Sequence, residues 1–187
     1  MRVHDLLNDS ITDLTKLIKQ CSQFIEESDN QCLLKSLPHQ YNDVHKVKVR
    51  KRKTQTFDDT FNEAFNHHYE LRQRSIFANG QQSFVLEGNK TDTFYVFPID
   101  GYKFMYCNEV QNSTIEYQQV FSSIVDGFGP NKGNEVITEM LKFTYIHDKL
   151  NEGISIGSEI IFYNIPYYYA VRADMEYDSL LTSLEQL

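Results

Sequence analysis

The sequence predicts an α+β fold: a mixed or antiparallel sheet flanked by helices, preceded by an amphipathic helix. Three observations carry this. Apolar residues near the N-terminus recur at helical spacing, short strand-like runs follow in irregular alternation with helices, and the composition suits one packed core. Of 187 residues 41% are hydrophobic and 13% aromatic, with 12 Tyr, 13 Phe and no Trp. That excludes a disordered chain.

Leu7, Ile11, Leu14, Ile18, Cys21 and Ile25 recur at spacings of four and three, and Leu6, Leu17 and Phe24 widen the stripe. This spacing predicts a helix with a face broad enough to bury. It either docks on its own domain or holds a partner. The polar stretch that follows, with Pro38, reads as a linker. Around Val47 and Val49 the pattern alternates with Lys46, Lys48 and Arg50, which predicts a strand with one buried face. Thr56 with Asp59 three residues on resembles a capping box. Phe57, Phe61, Phe65 and Tyr69 then form the inward stripe of a helix.

Next come a short run at 74–77 and two runs at 93–97 and 102–106. Pro98, Asp100 and Gly101 separate those two runs and predict a hairpin. A helix is predicted over 115–125, a loop from Gly127 to Gly133, and a second helix over 135–150. Strands at 159–163 and 167–172 flank Asn164-Ile165-Pro166. The acidic end reads as a final short helix. The expected domains are therefore a helical segment at 1–28, a linker at 29–45, a compact domain at 46–173 and an acidic tail at 174–187.

The net charge is −8, which argues against a general nucleic-acid binder. Yet Lys46, Lys48, Arg50, Lys51, Arg52 and Lys53 supply six of the 18 Lys and Arg within eight positions. The cluster is either the charged edge of a sheet or a site for a phosphate-bearing ligand. No run approaches the roughly 18 apolar residues of a membrane span, so no membrane partner is expected. Three scattered cysteines suggest a reducing, intracellular compartment. His67 and His68 point apart on a helix, and no metal site is expected. Glu159 opens an apolar strand. There it is either solvated or faces a cleft and stabilises positive charge.

Three segments resemble a group of proteins from large tailed bacteriophages: VRKRKTQTFDDTFNEAF, then RQRSIFANG followed by TFYVFPIDGYKFMY, then GSEIIFYNIPYYYAV. The region they bracket, 49–171, is about two-thirds of the chain. In that group an R-S-x-x-F-x-[TA]-G element precedes a [VI]-F-P-x-[DG]-x-[FY]-K-F strand pair, and a G-[NS]-E-[IV] strand comes late. This order is similar to the ADP-ribosyltransferase fold, with its split sheet, strand arginine, serine element and late glutamate. The resemblance implies NAD as cofactor, Glu159 as the catalytic carboxylate, and Arg52 or Arg50 as the arginine that meets the NAD phosphates. It implies Ser75, with Arg74, at the nicotinamide pocket, and Phe77, Tyr95 or Tyr102 as aromatic walls. Two departures stand out. Gly157 lies two before Glu159, where arginine-modifying members carry Glu or Gln, and no second Ser or Thr follows Ser75.

The function implied is transfer of ADP-ribose from NAD to a host macromolecule, protein or nucleic acid. The alternative is an inactive binding protein on the same scaffold, acting in host takeover, anti-defence or as a minor virion component. Either places the protein in the host cytoplasm or packaged in the virion, with the N-terminal helix as a contact for virion or other phage proteins.

Overall fold

The computed structural model describes residues 14–38, 44–54, 57–65, 70–80, 91–174 and 177–185. Thr56, His67, His68 and Tyr69, and the first two turns of the expected N-terminal stripe, lie outside them. The fold is α+β. Helices are α1 (14–20), α2 (Ser22–Glu27), α3 (Asp58–Ala64), α4 (Ser113–Phe128), α5 (Pro130–Thr144), α6 (Leu150–Ser155) and α7 (Tyr177–Glu185), with a 3₁₀ turn at Arg72–Arg74. Strands are β1 (Leu34–Pro38), β2 (Val44–Lys48), β3 (Ile76–Asn79), β4 (Thr91–Pro98), β5 (Lys103–Met105), β6 (Glu159–Tyr163) and β7 (Tyr167–Arg172).

The strands form one sheet in the order β2-β7-β4-β1-β3-β6-β5, and every pairing among them is antiparallel. The sheet is pinched between β1 and β3, where a single residue pair, Leu34↔Asn79, joins the ladder. β2, β7, β4 and β1 lie on one side of the pinch, and β3, β6 and β5 on the other.

Two cores result. The first gathers Leu17, Cys21 and Phe24 of the N-terminal helices, Tyr177 and Leu180 of α7, and Phe97, Phe162 and Tyr169 of the sheet. The second places Phe57 and Phe61, Tyr117 and Phe121, and Ile137 and Leu141 of α3, α4 and α5 against Met105 and Ile161. Of the aromatic stripe expected on α3, Phe57 and Phe61 are buried and Phe65 is half-buried.

Several expectations change. The proposed linker holds β1, an interior strand, so residues 29–45 do not separate the N-terminal helices from the domain. The basic strand is Val44–Lys48, and residues 49–54 continue outside the ladder. The expected hairpin does not form: β4 pairs with β1 and β7, while β5 pairs with β6. Its turn docks on the N-terminal helices instead. Asp100 accepts from Gln23 N–H (2.9 Å) and Ser22 hydroxyl (2.8 Å), and its own N–H donates to Gln20 C=O (2.6 Å). Asp100 thereby serves the free amides at the start of α2. The loop expected from Gly127 to Gly133 narrows to Gly129 (φ 77°), and Pro130 begins α5 at the position where a missing N–H costs nothing. α6 has no counterpart in the sequence reading.

Candidate functional site

Glu159 opens β6 directly opposite Asn79 on β3. Asn79 is also the residue that bridges to Leu34 of β1, so Glu159 sits at the pinch. The carboxylate is almost fully buried, at 8% exposure. Its Oε1 accepts from the N–H (3.2 Å) and the hydroxyl of Ser113, the first residue of α4. The start of a 16-residue helix therefore faces the carboxylate, a favourable place for negative charge. Asn112 caps the helix from one side, accepting from Ile115 N–H, and Glu116 reaches back to the Gln111 and Asn112 amides.

Ser113 links Glu159 to Arg72, whose Nη2 donates to the Ser113 hydroxyl at 2.8 Å. Arg72 has no exposed surface, and its guanidinium lies 4.5 to 5.1 Å from the ring centres of Phe57, Phe61 and Phe77. An aromatic cage of this kind offers a cation quadrupole attraction in place of water. Nε lies 3.1 Å from Asp58 Oδ1, close enough for charge attraction but without hydrogen-bond alignment, and Nη1 has no hydrogen-bond partner. Asp58 is itself fully buried and takes a two-pronged pair from Arg52, at 2.9 and 2.7 Å. The chain of contacts runs Arg52, Asp58, Arg72, Ser113, Glu159.

Local sequence builds this chain. Asp58 and Asn62 lie four apart, on one face of α3. Asn62 accepts from Arg72 N–H (3.0 Å) and donates to the Gln73 side chain (2.9 Å), which fixes the 3₁₀ turn and aims Arg72 inward. Lys35 of β1 contributes a second cation beyond the pinch, its ammonium donating to Phe77 C=O at 2.8 Å.

Burial pushes the Glu159 carboxyl above the usual carboxylate range, although Ser113, Arg72 and Lys35 all pull it down. Burial likewise lowers Arg72 and Lys35, with Glu159 as the main opposing charge on each. Beside them Tyr117 donates to the Tyr145 hydroxyl at 2.6 Å, and burial raises both phenols.

The residues expected from sequence divide. Glu159 and Arg52 belong to one network, and Phe77 stacks on both Arg72 and Arg52. Arg50 is exposed, on the segment beyond β2. Ser75 precedes β3, at the opposite end of the β3–β6 pair from Glu159, and its hydroxyl is used by Leu71 C=O at 2.5 Å. Arg74 is exposed beside Ser75 and bonds Glu70 through Nε (2.9 Å). Tyr95 packs on Tyr177 in the first core, and Tyr102 donates to Glu27 at 2.5 Å. Arg72, Asp58, Ser113 and Lys35 escape the sequence reading. The polar pair at 58 and 62 beside an aromatic stripe is the available signal for Asp58; nothing marks Arg72 among its charged neighbours.

Comparison with protein-family models, with curated proteins and with solved structures returns no match.

Proposed function

We propose that this chain is a phage-encoded, ADP-ribosyltransferase-like protein that binds NAD at the pinch of the sheet and transfers ADP-ribose to a host macromolecule. The observation that supports it is Glu159: a buried carboxylate leading a strand at the junction of two sheet segments, with a hydroxyl, a helix start and two cations around it. Breaking the nicotinamide–ribose bond develops positive charge on the sugar. A fixed carboxylate stabilises that charge, and a cation beside it meets the pyrophosphate, with no metal required. Arg52, part-exposed, is the cation in this reading, and Arg72, fully buried, holds Ser113 and through it Glu159. Ser75 is too far along β3 to share the nicotinamide pocket with Glu159 in this arrangement.

A second reading has its own support. Arg52 is spent on Asp58 and Glu159 on Ser113, so the charges that would meet NAD are satisfied internally. That favours an inactive protein on the same scaffold, engaging a host or virion partner. The deciding experiment incubates the protein with labelled NAD and host lysate, comparing wild type with Glu159→Gln. Label transfer that the substitution abolishes supports the enzyme. Wild type that neither binds nor consumes NAD sinks it and leaves the binding reading.

A further inference from the structure

At the other end of β3 and β6 from Glu159 lies a groove of about 330 Å³, lined by Glu70, Arg74, Lys103, Tyr163, Asn164 and Pro166 among others. Residues 49–53 run along its rim. Val49 N–H donates to Pro166 C=O (2.9 Å), the Lys51 ammonium pairs with Glu70, and Arg52 N–H donates to Gln73 C=O (3.0 Å). The basic cluster of the sequence is thereby laid beside Arg74 and Lys103, which come from distant parts of the chain.

The charge balance here opposes that of the whole protein. Arg50, Lys53 and Lys103 are exposed, and no described residue forms an ion pair with them. Arg74 is 64% exposed and commits only Nε to Glu70, leaving its distal nitrogens open. The neighbouring carboxylates are occupied: Glu70 by Lys51 and Arg74, Asp100 by Ser22 and Gln23. Two cations, Arg74 and Lys103, thus line the groove beside one carboxylate, Glu70, with Arg50, Lys51 and Lys53 on the segment along its rim, on a chain of net charge −8. The backbone marks the same place. Glu70 (φ 62°) and Asn164 (φ 67°) both line the groove in the left-handed region. Asn enters that region readily, whereas Glu70 does so at a cost.

We propose that this groove binds a single-stranded nucleic acid. Phosphates meet the cations, with the open fork of Arg74 suited to a phosphate's two oxygens. The exposed apolar edge of Pro166 gives a base a surface to stack on, which an acidic peptide would not use. The groove admits a splayed nucleotide and not a paired helix, whose bases are stacked inside. The inference stands apart from the NAD reading, because Tyr163 and Glu159 are four residues apart on β6, about 13 Å along the strand.

The test is fluorescence anisotropy of a labelled oligothymidylate of about 8 nucleotides, titrated with the full chain at low salt. Wild type is expected to bind, with affinity falling as salt rises. The double variant Arg74→Glu/Lys103→Glu is expected to bind at least about tenfold more weakly, with a salt slope shallower by about 0.7 for each phosphate no longer neutralised. Arg74→Lys/Lys103→Arg should retain binding, which separates charge from folding, and Glu159→Gln should bind as wild type does. No binding by wild type, or equal binding by the double Glu variant, overturns the proposal. So does equal competition by a polyglutamate of the same charge, which would assign the groove to an acidic protein. Wild type that transfers ADP-ribose from NAD yet does not bind oligothymidylate rejects this proposal and leaves the other standing.

Discussion

Arg72 has no access to water and two guanidinium nitrogens, Nε and Nη1, without a hydrogen bond. Such a cation is held by its cage and by Asp58 and Ser113, and removing it strands the carboxylates around it. Arg72→Met, which keeps the volume but not the charge, is expected to lower unfolding free energy by about 3–5 kcal/mol in urea titrations. Glu159 carries the pH dependence. Its folded-state pKa lies above the unfolded value. Its contribution to stability is therefore full below the unfolded pKa and is lost as pH rises through the folded one. Glu159→Gln cannot ionise and keeps an oxygen to accept from Ser113. Thermal melts should thus show the variant gaining on wild type as pH rises from the acid range to neutrality; a constant offset would contradict the assignment.

At the scale of elements, the strand carrying Glu159 is set by how closely α6 approaches β3. A Cβ on Gly80, just past β3, would lie 2.1 Å from the Ile154 carbonyl oxygen. Backbone cannot yield there as a flexible side chain would. Gly80→Ala should push α6 outward and cost about 1–3 kcal/mol, read by chemical denaturation. Loosening α6 should also raise proteolytic sensitivity around residues 150–157. The elements themselves were unevenly legible. α3, α4, β6 and β7 follow from aromatic or apolar runs, because each buries a face, whereas α7 follows from the acidic end alone. β1 escaped because Lys35 and Ser36 interrupt its apolar residues and Pro38 ends it, which in isolation reads as a turn. The expected hairpin failed for a different reason. A short Pro-Ile-Asp-Gly stretch satisfies turn chemistry whether or not its flanking strands pair, and here Asp100 is drawn to the start of α2. The candidate site was half legible: Glu159 by its place at the head of an apolar strand, Arg72 not at all, since burial of a charge is decided by residues far away in sequence.

For the whole molecule, the N-terminal helices are part of the core and not an attachment. Leu17, Cys21 and Phe24 are fully buried, Phe24 packs edge-on against Phe97 and Phe162, and Tyr169 donates to the Gln20 side chain at 3.1 Å. The buried part of the stripe is thus used within the domain. Deleting residues 1–28 is expected to bare Phe97 and Phe162 and to give a chain that aggregates or binds a hydrophobic dye, as size-exclusion chromatography would show. A soluble, cooperative domain after that deletion would mean that the helices are dispensable.

The order of strands also sets a schedule. β7 lies between β2 and β4, and β6 between β3 and β5, yet these are the last two strands to leave the ribosome. Until residue 172 has emerged, β2 has no neighbour and β4 has only β1. A nascent chain must therefore leave β2 and one edge of β4 unpaired until β7 is made, with the N-terminal helices already present. Long-range pairing of this kind slows folding and leaves strand edges exposed, so a chain stalled short of β6 holds only the β4-β1-β3 part of the sheet and lacks the glutamate.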